Sequence, residues 1–125
     1  MIDFDGESVV FKLKPIDEDE VREDFHRFLV EGEEIFAAFR TVRDQLVFTN
    51  KRFIAANVQG ITGSKVDYTS IPYNKIQAFS VESAGTFDRD TEFQCYVSTL
   101  GRLSFEISGS FDILAFNGIV SRHVL

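Results

Sequence analysis

Four cations stand close together in the middle of the sequence: Arg40, Arg43, Lys51 and Arg52. Guanidinium and ammonium groups that converge can hold a phosphate or carboxylate through charge-assisted hydrogen bonds. No other stretch comes as near to a binding chemistry. The spacing works against convergence. Apolar runs at Gln45–Phe48 and Phe53–Val58 are bounded by polar turns at Arg43-Asp44 and Asn50-Lys51, which predicts a strand meander. Arg40 and Arg43 then sit at one end of the middle strand, Lys51 and Arg52 at the other. Five or six residues of strand span roughly 17–20 Å, so the four cannot clasp one phosphate together, and Asp44 dilutes the field beside Arg43. The expectation is solvated turn charges or ion pairs between subunits, with Arg43 and Asp44 as an assembly contact. Anion binding through Arg40, Arg43, Lys51 and Arg52 is the alternative.

Other reactive residue types are sparse. His26 and His123 are the two histidines, and neither has Cys, Asp or Glu at metal-ligand spacing. The single cysteine, Cys95, alternates with Phe93 and Val97, as a small buried hydrophobe on a strand does. Asp88, Arg89, Asp90 and Glu92 lack the spacing of a calcium loop and read as a solvated loop. Gly60 to Lys65 carries two glycines and a lysine but not the full phosphate-loop spacing, and it does not open a helix. No histidine is placed by sequence to activate a serine, and the Gly-x-Ser-x-Gly elbow is missing. These observations predict no catalytic residue, no metal site and no cofactor: a protein that is not an enzyme.

The elements that must position these residues follow from composition and period. At 125 residues, 44% hydrophobic, 26% charged and with two prolines, the chain reads as one globular domain. Fourteen phenylalanines and no tryptophan predict a Phe-filled core suited to sheet packing. A net charge of −7 opposes nucleic acid as a partner and broad adhesion to an anionic membrane. No secretory or membrane-spanning pattern is present, so a cytoplasmic location is expected.

Residues 1–16 read as an extension, a strand or an arm ended by Pro15, that must dock on the domain or on a neighbouring subunit. Residues 17–31 predict an amphipathic helix: Asp17 and Glu20 suit a capping box, and Val21, Phe25, Phe28 and Leu29 form one stripe. From Glu33 the period changes to strand. Strands are predicted at 35–42, 45–48, 53–58, 65–70, 76–82, 91–98 and 102–108. Glycines at both ends of the 60–63 loop suit positive φ. Ser110 or Asp112 then caps a final helix with a broad apolar face. The fold class is mainly β with flanking helices: a bent antiparallel sheet, or partly open barrel, of about seven strands capped by the C-terminal helix.

Several segments occur in an order that resembles the bacterial pleckstrin-homology domain family. They are Leu29-Val30-Glu31-Gly32-Glu33, Arg43-Asp44, Phe48-Thr49-Asn50-Lys51-Arg52, Gly60-Ile61-Thr62-Gly63-Ser64-Lys65-Val66, Ser70-Ile71-Pro72-Tyr73 and the run from Ser80 to Asp88. The resemblance covers about residues 20–125. It implies a seven-stranded bent sheet capped by a helix, and ring-like homo-oligomers, often pentameric. It implies neither an enzyme nor phosphoinositide binding. The superfamily members that bind phosphoinositides carry a longer, basic loop between their first two strands, and the matching loop here is only about Val42 to Asp44.

The resulting expectation is a self-assembling binding or scaffold module whose protein partner is unidentified. Its alternative is peripheral membrane or anionic-ligand binding through the basic turns. The C-terminal helix already covers the open end of the sheet, so the first helix needs another apolar surface, on its own domain or on an adjacent subunit. Val21, Phe25 and Phe28 are therefore candidate interface residues beside Arg43 and Asp44.

Overall fold

The period-two stretches form one eight-stranded sheet in the computed structural model, which describes residues 2, 8–83, 90–98, 100–109 and 111–125. The strands are β1 (Ser8–Pro15), β2 (Ile35–Arg40), β3 (Gln45–Thr49), β4 (Arg52–Gln59), β5 (Lys65–Pro72), β6 (Ile76–Glu82), β7 (Thr91–Val97) and β8 (Gly101–Ile107). They lie in the order β5-β4-β3-β2-β1-β8-β7-β6 and curl into a half-barrel. Seven are the predicted strands, with ends within two residues of expectation. The loop residues Asp88 and Arg89 and the cap candidate Ser110 lie outside the described residues.

The eighth strand is the N-terminal extension, which docks within its own chain. β1 runs parallel to β8 from Ser8 opposite Arg102 to Leu13 opposite Ile107. It then turns antiparallel to β2, with Lys14 opposite Arg40 and Pro15 opposite Phe39. One strand thus joins a meander, β2–β5, to a second one, β6–β8.

The inner face is packed with phenylalanine. Phe48 lies at ring-centroid distances of 4.8 Å from Phe116, 5.2 Å from Phe53, 5.8 Å from Phe39 and 5.9 Å from Phe105. Phe116 belongs to a C-terminal helix, residues 113–124, whose Ile113, Phe116 and Val120 are buried. The Asp112 carboxylate accepts the Ala115 N–H at 3.0 Å at the start of that helix, as an N-cap does. Each fully buried ring contributes about 1.5–3 kcal/mol by removal from water.

The helix expected over 17–31 is the main departure. It is reduced to a 3-10 turn at Glu18–Glu20 and one helical turn, α1 (Phe25–Phe28), so the C-terminal helix is α2 (Ile113–Val124). Two interactions explain this. Val21 and Phe25 are buried on the outer face of the meander with Ala38, Val47, Ile54 and Ala56. The Gln45 side chain of β3 also competes for the backbone: its Oε1 accepts the Arg22 N–H at 2.9 Å, and its Nε2 donates to the Glu20 carbonyl at 3.0 Å. Those backbone groups would otherwise serve a continuous helix.

Candidate functional site

The four sequence-nominated cations separate as the meander geometry requires, and they meet different fates. Arg52 is committed internally. Its Nε and Nη2 each reach a Glu33 carboxylate oxygen at 2.9 Å, Nη2 donates to the Phe28 carbonyl at 2.5 Å, and Nη1 donates to Ser70 Oγ at 3.2 Å. The Glu33 side chain is wholly buried and also accepts from Thr49 Oγ1 at 2.6 Å and the Val30 N–H at 3.0 Å. Burial pushes the Glu33 carboxyl up, but hydrogen bonds from Arg52, Thr49 and Val30 outweigh it and hold the group below its ordinary value. Thr49 Oγ1 in turn accepts the Lys51 and Arg52 N–H groups at 3.0 and 3.1 Å. Tyr73 closes this hub by donating to the Thr49 carbonyl at 2.6 Å; burial, with the Glu33 charge, raises its phenol well above the ordinary range. Arg52 is therefore a fastener of the β3–β4 turn, and Lys51 is left exposed beside it.

Arg40 and Arg43 lie at the opposite end of β3. Both are exposed, and Arg43 Nη2 donates to the Gly60 carbonyl at 2.7 Å, tying the β2–β3 turn to the β4–β5 turn. Gly60 and Gly63 both have positive φ there, +73° and +69°. Asp44 is buried, and its carboxylate accepts the Val58 N–H at 2.8 Å. Arg43 and Asp44 thus build the turn, and of the two only Arg43 presents itself at the surface. The cross-strand pairing of Lys14 with Arg40 adds cations the sequence reading missed. Lys12, Lys14 and Arg40 line a cleft of about 390 Å³ that Asp90 and Glu106 also line. Val42 and Ile61, at the tips of the two linked turns, are 96% and 102% exposed.

Of the apolar interface candidates, Val21 and Phe25 are covered by the chain's own sheet. Phe28 is 46% exposed, with its ring 4.5 Å from that of Tyr68 on β5. Val30 beside it is 56% exposed.

A further feature was not read from the sequence. β1 leaves β2 after Ile16, whose N–H donates to the Ala38 carbonyl at 3.0 Å. Beyond that point, among the described residues, Ile35 and Ala37 have ladder partners on β3 alone, and Phe36 is the extra residue of a bulge. Two cavities flank this stretch and share Phe36, Ala37 and Ala38 in their walls. One, of about 500 Å³, lies towards Val21 and Leu29; the other, of about 240 Å³, lies towards Ala115, Phe116 and Ile119 of α2. The signal for such an edge is the departure of β1, which rests on pairing too remote in sequence to read locally.

The remaining reactive types are spread over the fold. Cys95 is fully buried, and burial pushes its thiol up to about 12, far from a nucleophile's range. His123 stacks between Phe36 and Tyr73, each 6.4 Å away. His26 is exposed on α1. Asp17, Asp19 and Glu20 bring carboxylates within 4.8 Å of one another at the surface, where Glu20 also accepts the Asp17 N–H at 2.9 Å. Among the described residues, no helix is long and apolar enough to cross a membrane.

The geometry agrees with the chain's relatives. A DUF1696-family protein with a pleckstrin-homology domain from Shewanella loihica PV-4 superposes with a TM-score of 0.74 at 34% identity, over 92% of this chain and 99% of that one. A pleckstrin-homology domain from Shewanella amazonensis SB2B does so with a TM-score of 0.61 at 38% identity, over 88% and 90%. In sequence, the uncharacterised protein YjqA of Bacillus subtilis strain 168 is 51% identical over 78 residues, 62% of each chain, so the match spans less than two thirds of that relative. The pattern of the family described as Bacterial PH domain matches residues 6–124. The curled sheet, the capping α2 and the matched length together lead to one conclusion: the chain belongs to the bacterial pleckstrin-homology domain family.

Proposed function

We propose that this chain is a non-enzymatic binding module that assembles with itself into a scaffold, so that one docking surface is repeated around a ring. The observation that carries this reading is the pair of unlike sheet ends. β5 and β6 terminate the sheet at opposite ends of the strand order, and the exposed Phe28 packs against Tyr68 of β5. Unpaired strand edges invite strand addition, and contacts between unlike surfaces close into rings when the rotation permits. Repetition of a weak site then raises avidity without any new contact. Light scattering on the eluting protein at tens of micromolar is expected to give a mass several times 14.2 kDa, and Phe28→Glu is expected to lower it. A monomer under these conditions overturns the reading.

A second reading is favoured by the turn tips. Val42 and Ile61 project from turns linked through Arg43, and Val42 lines a cleft with Arg40, Lys12 and Lys14. Apolar tips with cations near them suit an anionic bilayer surface, although Asp90 and Glu106 share the cleft. Lys51 and Arg52 drop out of the original basic set, because they lie at the far end of β3. Co-sedimentation with vesicles rich in phosphatidylserine, lost in a Val42→Asp, Ile61→Asp double variant, supports it; sedimentation independent of anionic lipid removes it.

A further inference from the structure

We infer that the half-open edge of β2 takes an extended peptide segment from another protein, one that carries an apolar side chain flanked by lysine or arginine. The inference rests on reading this domain as a protein-binding module, and it names the chemistry of the partner.

Three observations converge on the stretch from Ile35 to Ala37. First, its outer edge lacks a ladder partner among the described residues once β1 has departed at Ile16, whose N–H donates to the Ala38 carbonyl. Strand edges are commonly blunted by lysine, proline or a charge turned inwards, yet this one reads Ile-Phe-Ala. Its bulge re-aims the edge and discourages flat pairing between identical sheets, which favours a short guest over a second copy. Three residues of strand present roughly 10 Å of backbone. Second, there is room beside that backbone, in the cavities of about 500 and 240 Å³. The smaller is walled by Ala115, Phe116 and Ile119 of α2 and suits one aliphatic or aromatic side chain. Alternate residues of a guest strand point to opposite faces, so one meets α2 and its neighbour meets the wall formed by residues 18–29. Third, the field is of one sign. Every formally charged side chain among the described lining residues is acidic: Glu18, Glu33 and Glu34 in the larger cavity and Asp112 in the smaller. Glu33 is neutralised by Arg52, whereas Glu18 and Glu34 are exposed. A basic guest is selected and an acidic one repelled. Main-chain pairing with pockets for alternate side chains is a recurring mode of peptide capture.

The test is a randomised hexapeptide display library selected against the full chain, followed by fluorescence polarisation of the recovered peptides and light scattering of the same samples. Enriched sequences are expected to place Lys or Arg next to a large apolar residue. Ala115→Arg, an exposed position that fills the groove without touching the core, is expected to weaken binding by at least about tenfold. Glu34→Lys should weaken it severalfold and flatten its salt dependence. N-methylation of alternate peptide amides should abolish binding, as only backbone pairing requires. Recovery of no binder, enrichment of acidic peptides, or equal binding by wild type and Ala115→Arg overturns the proposal. So does a change of assembly mass in Ala115→Arg, which would assign the groove to a second copy. A wild type that assembles but binds no peptide sinks this inference alone. A monomeric wild type that still binds the peptides sinks the scaffold reading alone.

Discussion

β4 and β7 belong to the same sheet and meet the same aromatic core, yet they are buried in different ways. From Phe53 to Asn57 every residue of β4 is buried, whereas β7 alternates, with Phe93, Cys95 and Val97 inside and Tyr96 45% exposed outside. The difference does not lie in how the strands pair. It lies in what covers the outer face: Val21 and Phe25 pack on the first meander, and among the described residues no such layer covers the second. A strand buried on both faces loses its alternation and reads as a continuous apolar run. The same layer determines the function available to each half, because the covered face can offer only its edges and rims while the open face can offer its side chains.

Substitutions can break or sharpen that contrast, each measured by chemical denaturation. Phe48→Ala strikes the core common to both halves and is expected to cost about 4–5 kcal/mol, a third or more of the stability of an ordinary domain. Arg52→Ala leaves the Glu33 carboxylate buried without its main partner, for about 3 kcal/mol. That effect depends on pH. The carboxyl of folded Glu33 lies below its ordinary value of 4.5, so its contribution is fully present above that value and fades as the pH falls through the folded one. The gap between wild type and Arg52→Ala should therefore narrow in acid; a gap independent of pH would rule out the ion pair as its source. Phe25→Ala removes the layer over β4 and should cost about 2–3 kcal/mol, less than a central ring because the overlying segment can settle onto the sheet. Tyr96→Thr, on the open face of β7, should stay within about 0.5 kcal/mol. An effect of Tyr96→Thr as large as that of Phe25→Ala would erase the distinction between the faces.

What could be read from the sequence was local. Strand limits followed from alternation and from turn residues such as Gly60 and Gly63, and the start of α2 followed from Asp112. The segment from Asp17 to Glu31 misled because Val21, Phe25 and Leu29 satisfy a helical stripe and equally suit a stretch draped on a sheet. The decision fell to Gln45, a residue on another element. The cations behaved alike in this respect. The separation of Arg43 from Lys51 was legible from strand length, whereas the pairing of Arg52 with Glu33, of Lys14 with Arg40, and the edge of β2 left without a partner among the described residues all depend on contacts distant in sequence.

The parallel ladder between β1 and β8 carries a consequence for how the chain is made. Ser8 pairs with Arg102 and Leu13 with Ile107, so β1 cannot complete this ladder until β8, far along the chain, has been made. The hairpins of β2–β5 can close as they are synthesised, because their partners are near neighbours. β1 meanwhile waits with an unpaired edge, exposed to the hazards of any strand that lacks a partner. The joint between the two meanders therefore forms later in biogenesis than the hairpins on its N-terminal side.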